Sequence, residues 1–104
     1  MPINHDHLLN YPIPEVRQAL RWQDVALYNF SIGLGQDPMD EQQLDFLYEP
    51  RLKAMPSIPV VLAAPGFWSR NEDTGISWKQ ILHGEQGVVL HRPLPVEGEI
   101  IGRS

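Results

Sequence analysis

Met55-Pro56-Ser57-Ile58-Pro59-Val60-Val61-Leu62-Ala63-Ala64 is the run on which the fold turns. By propensity, Val60-Val61-Leu62 favours a strand, because β-branched side chains pack well on a pleated surface. By its start signals, with Ser57 as N-cap and Pro59 in the first turn, the same run favours a buried helix. Periodicity cannot arbitrate an unbroken apolar stretch. Both readings stay open on these ten residues, so the flanks have to be read.

Upstream, Leu44-Asp45-Phe46-Leu47-Tyr48-Glu49 alternates with a period of two, placing Leu44, Phe46 and Tyr48 on one strand face before Pro50 stops it. Asp37-Pro38-Met39-Asp40-Glu41 is a helix-start signal, expected to run for about one turn. Asp24 to Gly33 reads as a helix with Asp24 as N-cap, Val25, Tyr28 and Ile32 as its buried stripe, and Gly33 or Gly35 in the left-handed cap. Tyr11 to Leu20 holds Pro12 and Pro14 and suits a short edge strand, whereas residues 1–10 are polar and expected to be flexible. Downstream, Asn71 to Gly75 is a loop. Ile76 to His83 is a helical turn with Ile81 and Leu82 facing inward. Glu85 to Leu94 is a strand around Val88-Val89-Leu90, and Glu99 to Arg103 opens another. Three or four strands and one or two helices leave open backbone edges and apolar surface. The expectation is a truncated unit that needs more chain, or a partner, for stability.

Composition narrows the class. The 104 residues make one domain at most, and chains of this length bury roughly two thirds of their unfolded surface. Hydrophobic residues make up 42%, which favours a globular fold. The net charge of −5 and the lack of any Lys/Arg cluster argue against a nucleic-acid or membrane-surface partner. There is no cysteine, hence no disulfide framework and no thiol chemistry. Met1 to His7 has neither the basic region nor the apolar run of a signal peptide, and no stretch approaches the roughly 20 apolar residues that span a bilayer. Ten prolines and eight glycines predict short elements joined by turns.

Four segments then carry a resemblance. Asp24-Val25-Ala26-Leu27-Tyr28-Asn29-Phe30-Ser31-Ile32-Gly33 resembles the "D-x-x-L-Y-A-L-G-x-G" segment of MaoC-like dehydratases. Leu44 to Glu49 is similar to their "L-x-F-x-Y-E" strand, and Met55 to Leu62 to "L-P-T-F-x-V-V-L". Leu82-His83-Gly84-Glu85-Gln86 with Pro93-Leu94-Pro95 matches "L-H-G-E-Q … P-L-P". Order and spacing agree from about Trp22 to Gly98. The chain thus looks like the N-terminal half of a type-2, (R)-specific enoyl-CoA hydratase, of the kind found in peroxisomal multifunctional enzyme type 2 and bacterial relatives. The resemblance implies an α+β hotdog fold, a curved antiparallel sheet around one central helix, incomplete in this chain. It makes residues 1–104 the N-terminal hotdog domain and Pro56 to Phe67 its helix. It implies a second hotdog, on the same or a partner chain, and a homo-oligomer. The reaction implied is addition of water to a trans-2-enoyl-CoA, giving a (3R)-3-hydroxyacyl-CoA, with no cofactor. The location implied is the cytoplasm in a bacterium and the peroxisome in eukaryotic relatives.

In that family an Asp and a His, in a motif like "G-D-x-N-P-x-H" of the second hotdog, activate the water. The nearest stretch here, Gly35-Gln36-Asp37-Pro38-Met39-Asp40, lacks the Asn between Asp and Pro and the following His. No catalytic residue is therefore assigned. Pro59 in the helix segment and Gly87 after "H-G-E-Q" depart from the family pattern. The candidate substrate-binding residues are Tyr28, Glu49, His83 and Glu85. The competing readings are a core aromatic for Tyr28, a solvated strand end for Glu49, and junction partners for backbone groups for His83 and Glu85. His5-Asp6-His7 is read as tail, since a metal site needs three or four converging ligands, and no metal is assigned. His91 is read as a partly exposed strand residue, and Glu72 and Asp73 as solvated. Phe67, Trp68 and Trp78 pack the core or an interface, or line an acyl tunnel. Arg70 and Lys79 are candidates for CoA phosphates. A non-catalytic subunit of a heteromeric dehydratase and a hotdog acyl-CoA thioesterase are the alternatives.

Overall fold

Local capping starts the three α-helices. The computed structural model describes residues 2–104. In chain order it holds α1 (His5–Leu9), β1 (Val16–Leu20), α2 (Trp22–Ser31), α3 (Glu41–Leu44), five short 3-10 turns and β2 (Gly98–Gly102). The turns are Glu49–Arg51, Ile58–Val61, Trp68–Arg70, Glu72–Thr74 and Trp78–Gln80. Asn4 starts α1 by accepting from the His7 N–H at 3.0 Å. α1 falls within this polar N-terminal stretch. Asp40 starts α3 by accepting from the Gln42 and Gln43 N–H groups at 3.1 and 3.3 Å. Asp24 is three residues inside α2 and not its N-cap; its carboxylate reaches back to the Arg21 N–H at 3.1 Å. Gly33 (φ 106°) and Gly35 (φ 76°) carry the left-handed exit from α2.

The architecture is α+β. β1 and β2 pair antiparallel, Val16 opposite Gly102 and Leu20 opposite Gly98, which closes the two ends of the chain on each other. Leu20, Val25 and Ile58 form the buried core, with Tyr28, Leu52, Leu94, Val96 and Ile100 packed around them. Burying Ile58 contributes about 1.5–3 kcal/mol by itself. The radius of gyration is 17.5 Å, where a compact chain of this length has about 13 Å. The shape is elongated, 56 × 27 × 21 Å, and large apolar side chains stay outside the core: Leu82 is 92% exposed and Val89 80%.

Several expected elements take another form. The run at residues 55–64 is neither strand nor long helix. It makes a four-residue 3-10 turn, Ile58–Val61, then Leu62 is extended and Ala63 adopts a left-handed φ of 46°. Ala63 leaves the right-handed helical region, and Pro65 donates no N–H and disfavours that region for Ala64, so the expected helix over Pro56 to Phe67 ends after one turn. The expected strand at Leu44 to Glu49 is a continuation of α3 into turns, in which Leu47 and Tyr48 N–H both bond to the Leu44 carbonyl at 3.0 and 2.8 Å. Those donors are then lost to any ladder. The segment from Glu85 to Leu94 has no ladder partner among the described residues, and every residue from 79 to 93 is exposed. Ile81 and Leu82 accordingly face outward. On α2 the buried pair is Val25 and Asn29, while Ile32 is 47% exposed.

Candidate functional site

The groove beside α2 collects the chemistry that the core leaves accessible. It is an open space of about 280 Å³ bordered by Gln18, Asp24, Leu27, Tyr28, Ile58 and Leu62. Tyr28 is half-buried, and its hydroxyl shares a 2.8 Å hydrogen bond with Ser57 Oγ. The Arg21 guanidinium bonded to Asp24, then the Arg21 backbone N–H, hold the Asp24 carboxyl below the usual carboxylate range, against a smaller opposing effect of burial. Arg21 is held correspondingly high by the same contact. The groove thus offers an apolar wall, one ionised acid and one hydroxyl. A second groove of about 290 Å³ lies where Met55 and Pro56 face Leu90, His91, Arg92 and Leu94.

The four candidate residues do not converge. Glu49 is exposed and begins a 3-10 turn with Pro50 and Arg51. His83 is exposed and its Nε2 lies 3.1 Å from Gln86 Oε1, a contact within its own loop. Glu85 is exposed in the same loop. Among the described residues no hydrogen bond or ion pair joins any two of Tyr28, Glu49, His83 and Glu85. Helix-to-strand junction roles for His83 and Glu85 fall away as well, because neither flank of Gly84 is regular structure.

Three residues unassigned in the sequence organise the region. Asn29 is fully buried, and its Nδ2 donates to the Phe46 and Lys53 carbonyls at 2.8 Å each, so α2 holds both ends of the segment that carries Tyr48 and Glu49. Its Oδ1 has no partner. The signal was present, for Asn29 stands one helical turn after Val25 on the apolar face. Gln18 Oε1 accepts from the Ala63 N–H at 2.6 Å and so ties β1 to the unusual Ala63 backbone. Thr74, also buried, donates from Oγ1 to the Asn71 carbonyl at 2.7 Å and knots the loop after Trp68.

His5 and Asp6 lie 3.6 Å apart with both side chains at the surface, and among the described residues no three His, Asp or Glu side chains gather as a metal site. No helix among those residues is long and apolar enough to cross a membrane.

A small α+β unit with an open groove and unpaired sheet edges is the class the geometry defines, and comparison with known proteins places it. Residues 19–104 match the family model of the MFE-2 hydratase 2 N-terminal domain. The chain belongs to that family, a branch of the MaoC-like dehydratases that the sequence resembles. It is 29% identical over 96% of its length to enoyl-CoA hydratase 2, peroxisomal, of Arabidopsis thaliana. It is 28% identical over 94% of its length to the enoyl-CoA hydratase ChsH3 of Mycobacterium tuberculosis. Over its whole length it is 31% identical to the probable enoyl-CoA hydratase 2 of Dictyostelium discoideum. It spans 35%, 36% and 36% of these relatives, respectively. No solved structure matches it.

Proposed function

We propose that the chain is the substrate-shaping, non-catalytic half of an (R)-specific enoyl-CoA hydratase, the N-terminal hotdog of a double-hotdog enzyme that forms (3R)-3-hydroxyacyl-CoA. One observation carries this reading: residues 19–104 match the N-terminal domain of hydratase 2, yet the chain covers about a third of each relative and holds no "D-x-N-P-x-H" stretch. The water-activating Asp and His then come from a second hotdog, on the remainder of the protein or on a partner chain. Supporting it, the exposed apolar run Val88-Val89-Leu90 and the outer edges of β1 and β2 offer backbone groups and surface for further strands. In the completed enzyme Tyr28 borders the acyl groove, and Glu49, His83 and Glu85 are brought to the cleft by the second hotdog. The reaction needs no cofactor, the acyl-CoA being substrate. The assembly is a homo-oligomer without nucleic-acid or membrane partner, and works in the cytoplasm of a bacterium or the peroxisome of a eukaryote.

The test is crotonyl-CoA hydration by the purified chain, alone and co-expressed with the C-terminal hydratase domain of a relative. The chain alone is expected to be inert, and the pair active with the (3R) product. Hydration by the chain alone sinks the assignment of the chemistry to another domain. Hydrolysis of the thioester favours the thioesterase reading, and activity only with a separately encoded partner favours the heteromeric subunit.

A further inference from the structure

Most cations of this acidic chain are neutralised locally. Arg17, Arg21, Arg51, Lys53 and Arg103 each lie within 4.0 Å of a carboxylate. Of the eight Lys and Arg residues that leaves Arg70, Lys79 and Arg92, and two of these three meet on one side chain. The Arg70 guanidinium carbon stands 4.5 Å from the Trp78 ring centroid and 6.0 Å from that of Phe67, and Lys79 Nζ stands 5.6 Å from Trp78. Phe67 meets Trp78 edge-on at 5.9 Å, with the ring planes at 84°. The acids nearest in sequence do not quench the pair. Asp73 accepts from the Tyr11 hydroxyl at 2.9 Å, and Glu72 makes no ion pair among the described residues.

The support beneath this cluster is fixed. Tyr11 packs on Trp68 at 5.5 Å, Asn71 Nδ2 donates to the Tyr11 hydroxyl at 2.9 Å, and His7 Nε2 lies 3.0 Å from the Asp73 carbonyl oxygen. α1, through His7, and Tyr11 just beyond it thereby hold the loop from Phe67 to Gly75, while Thr74 knots it from within. Beside Trp78 runs an open groove of about 320 Å³ bordered by Ser77, Lys79 and Gln80, which present a hydroxyl, an ammonium and an amide.

We infer that Arg70, Trp78 and Lys79, with Phe67 behind them, form a binding platform for a phosphorylated nucleotide. A guanidinium stacked on an aromatic ring keeps its edge donors free for phosphate and adds a plane on which a base stacks. A second cation at the same indole suits a ligand with two phosphates. The proposal deepens the function proposed above and rests on it for the identity of the ligand: the nucleotide end of a CoA thioester, an adenosine carrying phosphates at two positions, has this chemistry.

The probe is adenosine 3′,5′-bisphosphate, titrated calorimetrically into the full 104-residue chain, with adenosine and inorganic pyrophosphate as partial ligands. The bisphosphate is expected to bind one to one, and each partial ligand about tenfold or more weaker, since each lacks one half of the recognition. Arg70→Gln with Lys79→Gln is expected to weaken the bisphosphate about tenfold or more while leaving the circular dichroism spectrum unchanged, both side chains being exposed. Trp78→Leu is expected to remove the base contribution and bring the nucleotide to the affinity of pyrophosphate. Equal affinity of the double variant and the parent, or no binding at a bisphosphate concentration of about 1 mM, overturns the platform. Crotonyl-CoA separates the two readings. If it binds parent and double variant alike, the platform is wrong and the hydratase reading stands. If the bisphosphate binds as described but the co-expressed pair shows no hydration, the platform stands and the hydratase reading falls.

Discussion

Removing Asn29 should loosen the segment that carries Tyr48 and Glu49. Its side chain is fully buried and donates twice, to Phe46 and Lys53, at 2.8 Å each. Asn29→Ala strands both carbonyls in partly buried positions. At about 1–1.5 kcal/mol for each lost bond, the cost is about 2–3 kcal/mol. For a chain of this length that corresponds to a melting temperature lower by roughly 10–20 °C. Urea unfolding followed by tryptophan fluorescence measures the loss, and hydrogen exchange of residues 46–53 locates it. Asn29→Asp provides a second readout. Its ionised carboxylate faces two carbonyl oxygens, so folding raises the pKa of the new acid. Such an acid is tolerated below its unfolded pKa of about 4, and the stability is lost as pH rises through the folded value. A loss of less than about 0.5 kcal/mol for Asn29→Ala, or an Asn29→Asp variant whose stability does not fall between acid and neutral pH, refutes the reasoning.

Three further outcomes follow from single contacts. Gly102→Ala places a Cβ against the Ala63 carbonyl oxygen and 2.8 Å from the Ala63 Cβ, and should lower the urea midpoint by the equivalent of about 1–3 kcal/mol. Ala63→Gly should raise stability by up to about 1 kcal/mol, since the backbone there sits at φ 46° where a Cβ is strained; a clear decrease in the urea midpoint counts against that backbone. Asp24 is held below the ordinary carboxylate range by Arg21, so its contribution is present above the usual Asp pKa of about 4 and disappears as pH falls below it. Asp24→Asn should therefore lose less stability than the parent between neutral and strongly acid pH, and parallel acid limbs in urea titrations would count against the pairing.

Local signals told in the sequence wherever the energy was local. The Asp37 to Glu41 start signal announced a helix of one turn, although the cap itself is Asp40, beyond Pro38, because an N-cap needs only the two N–H groups that follow it. The glycines after α2 announced its end because few other residues take a positive φ. Glu99 to Arg103 announced β2, and the edge strand expected over Tyr11 to Leu20 formed over Val16–Leu20, past both prolines. The candidate site was less legible. Tyr28 was found with a partner, Ser57, 29 residues away that no spacing could name. Glu49, His83 and Glu85 matched family motifs but stand apart on exposed turns.

What the sequence by itself determined was membership: four ordered segments specified the hydratase 2 N-terminal family. What only the tertiary structure decided was pairing. The run at residues 55–64 became a turn, and its backbone was settled by Gln18 and Gly102, both far away in the chain. Val88-Val89-Leu90 had strand propensity but no ladder, since a strand is a relation between two segments and propensity describes one. Arg70 and Lys79 were ten residues of charge and loop on paper, and became neighbours only when the chain folded around Trp78.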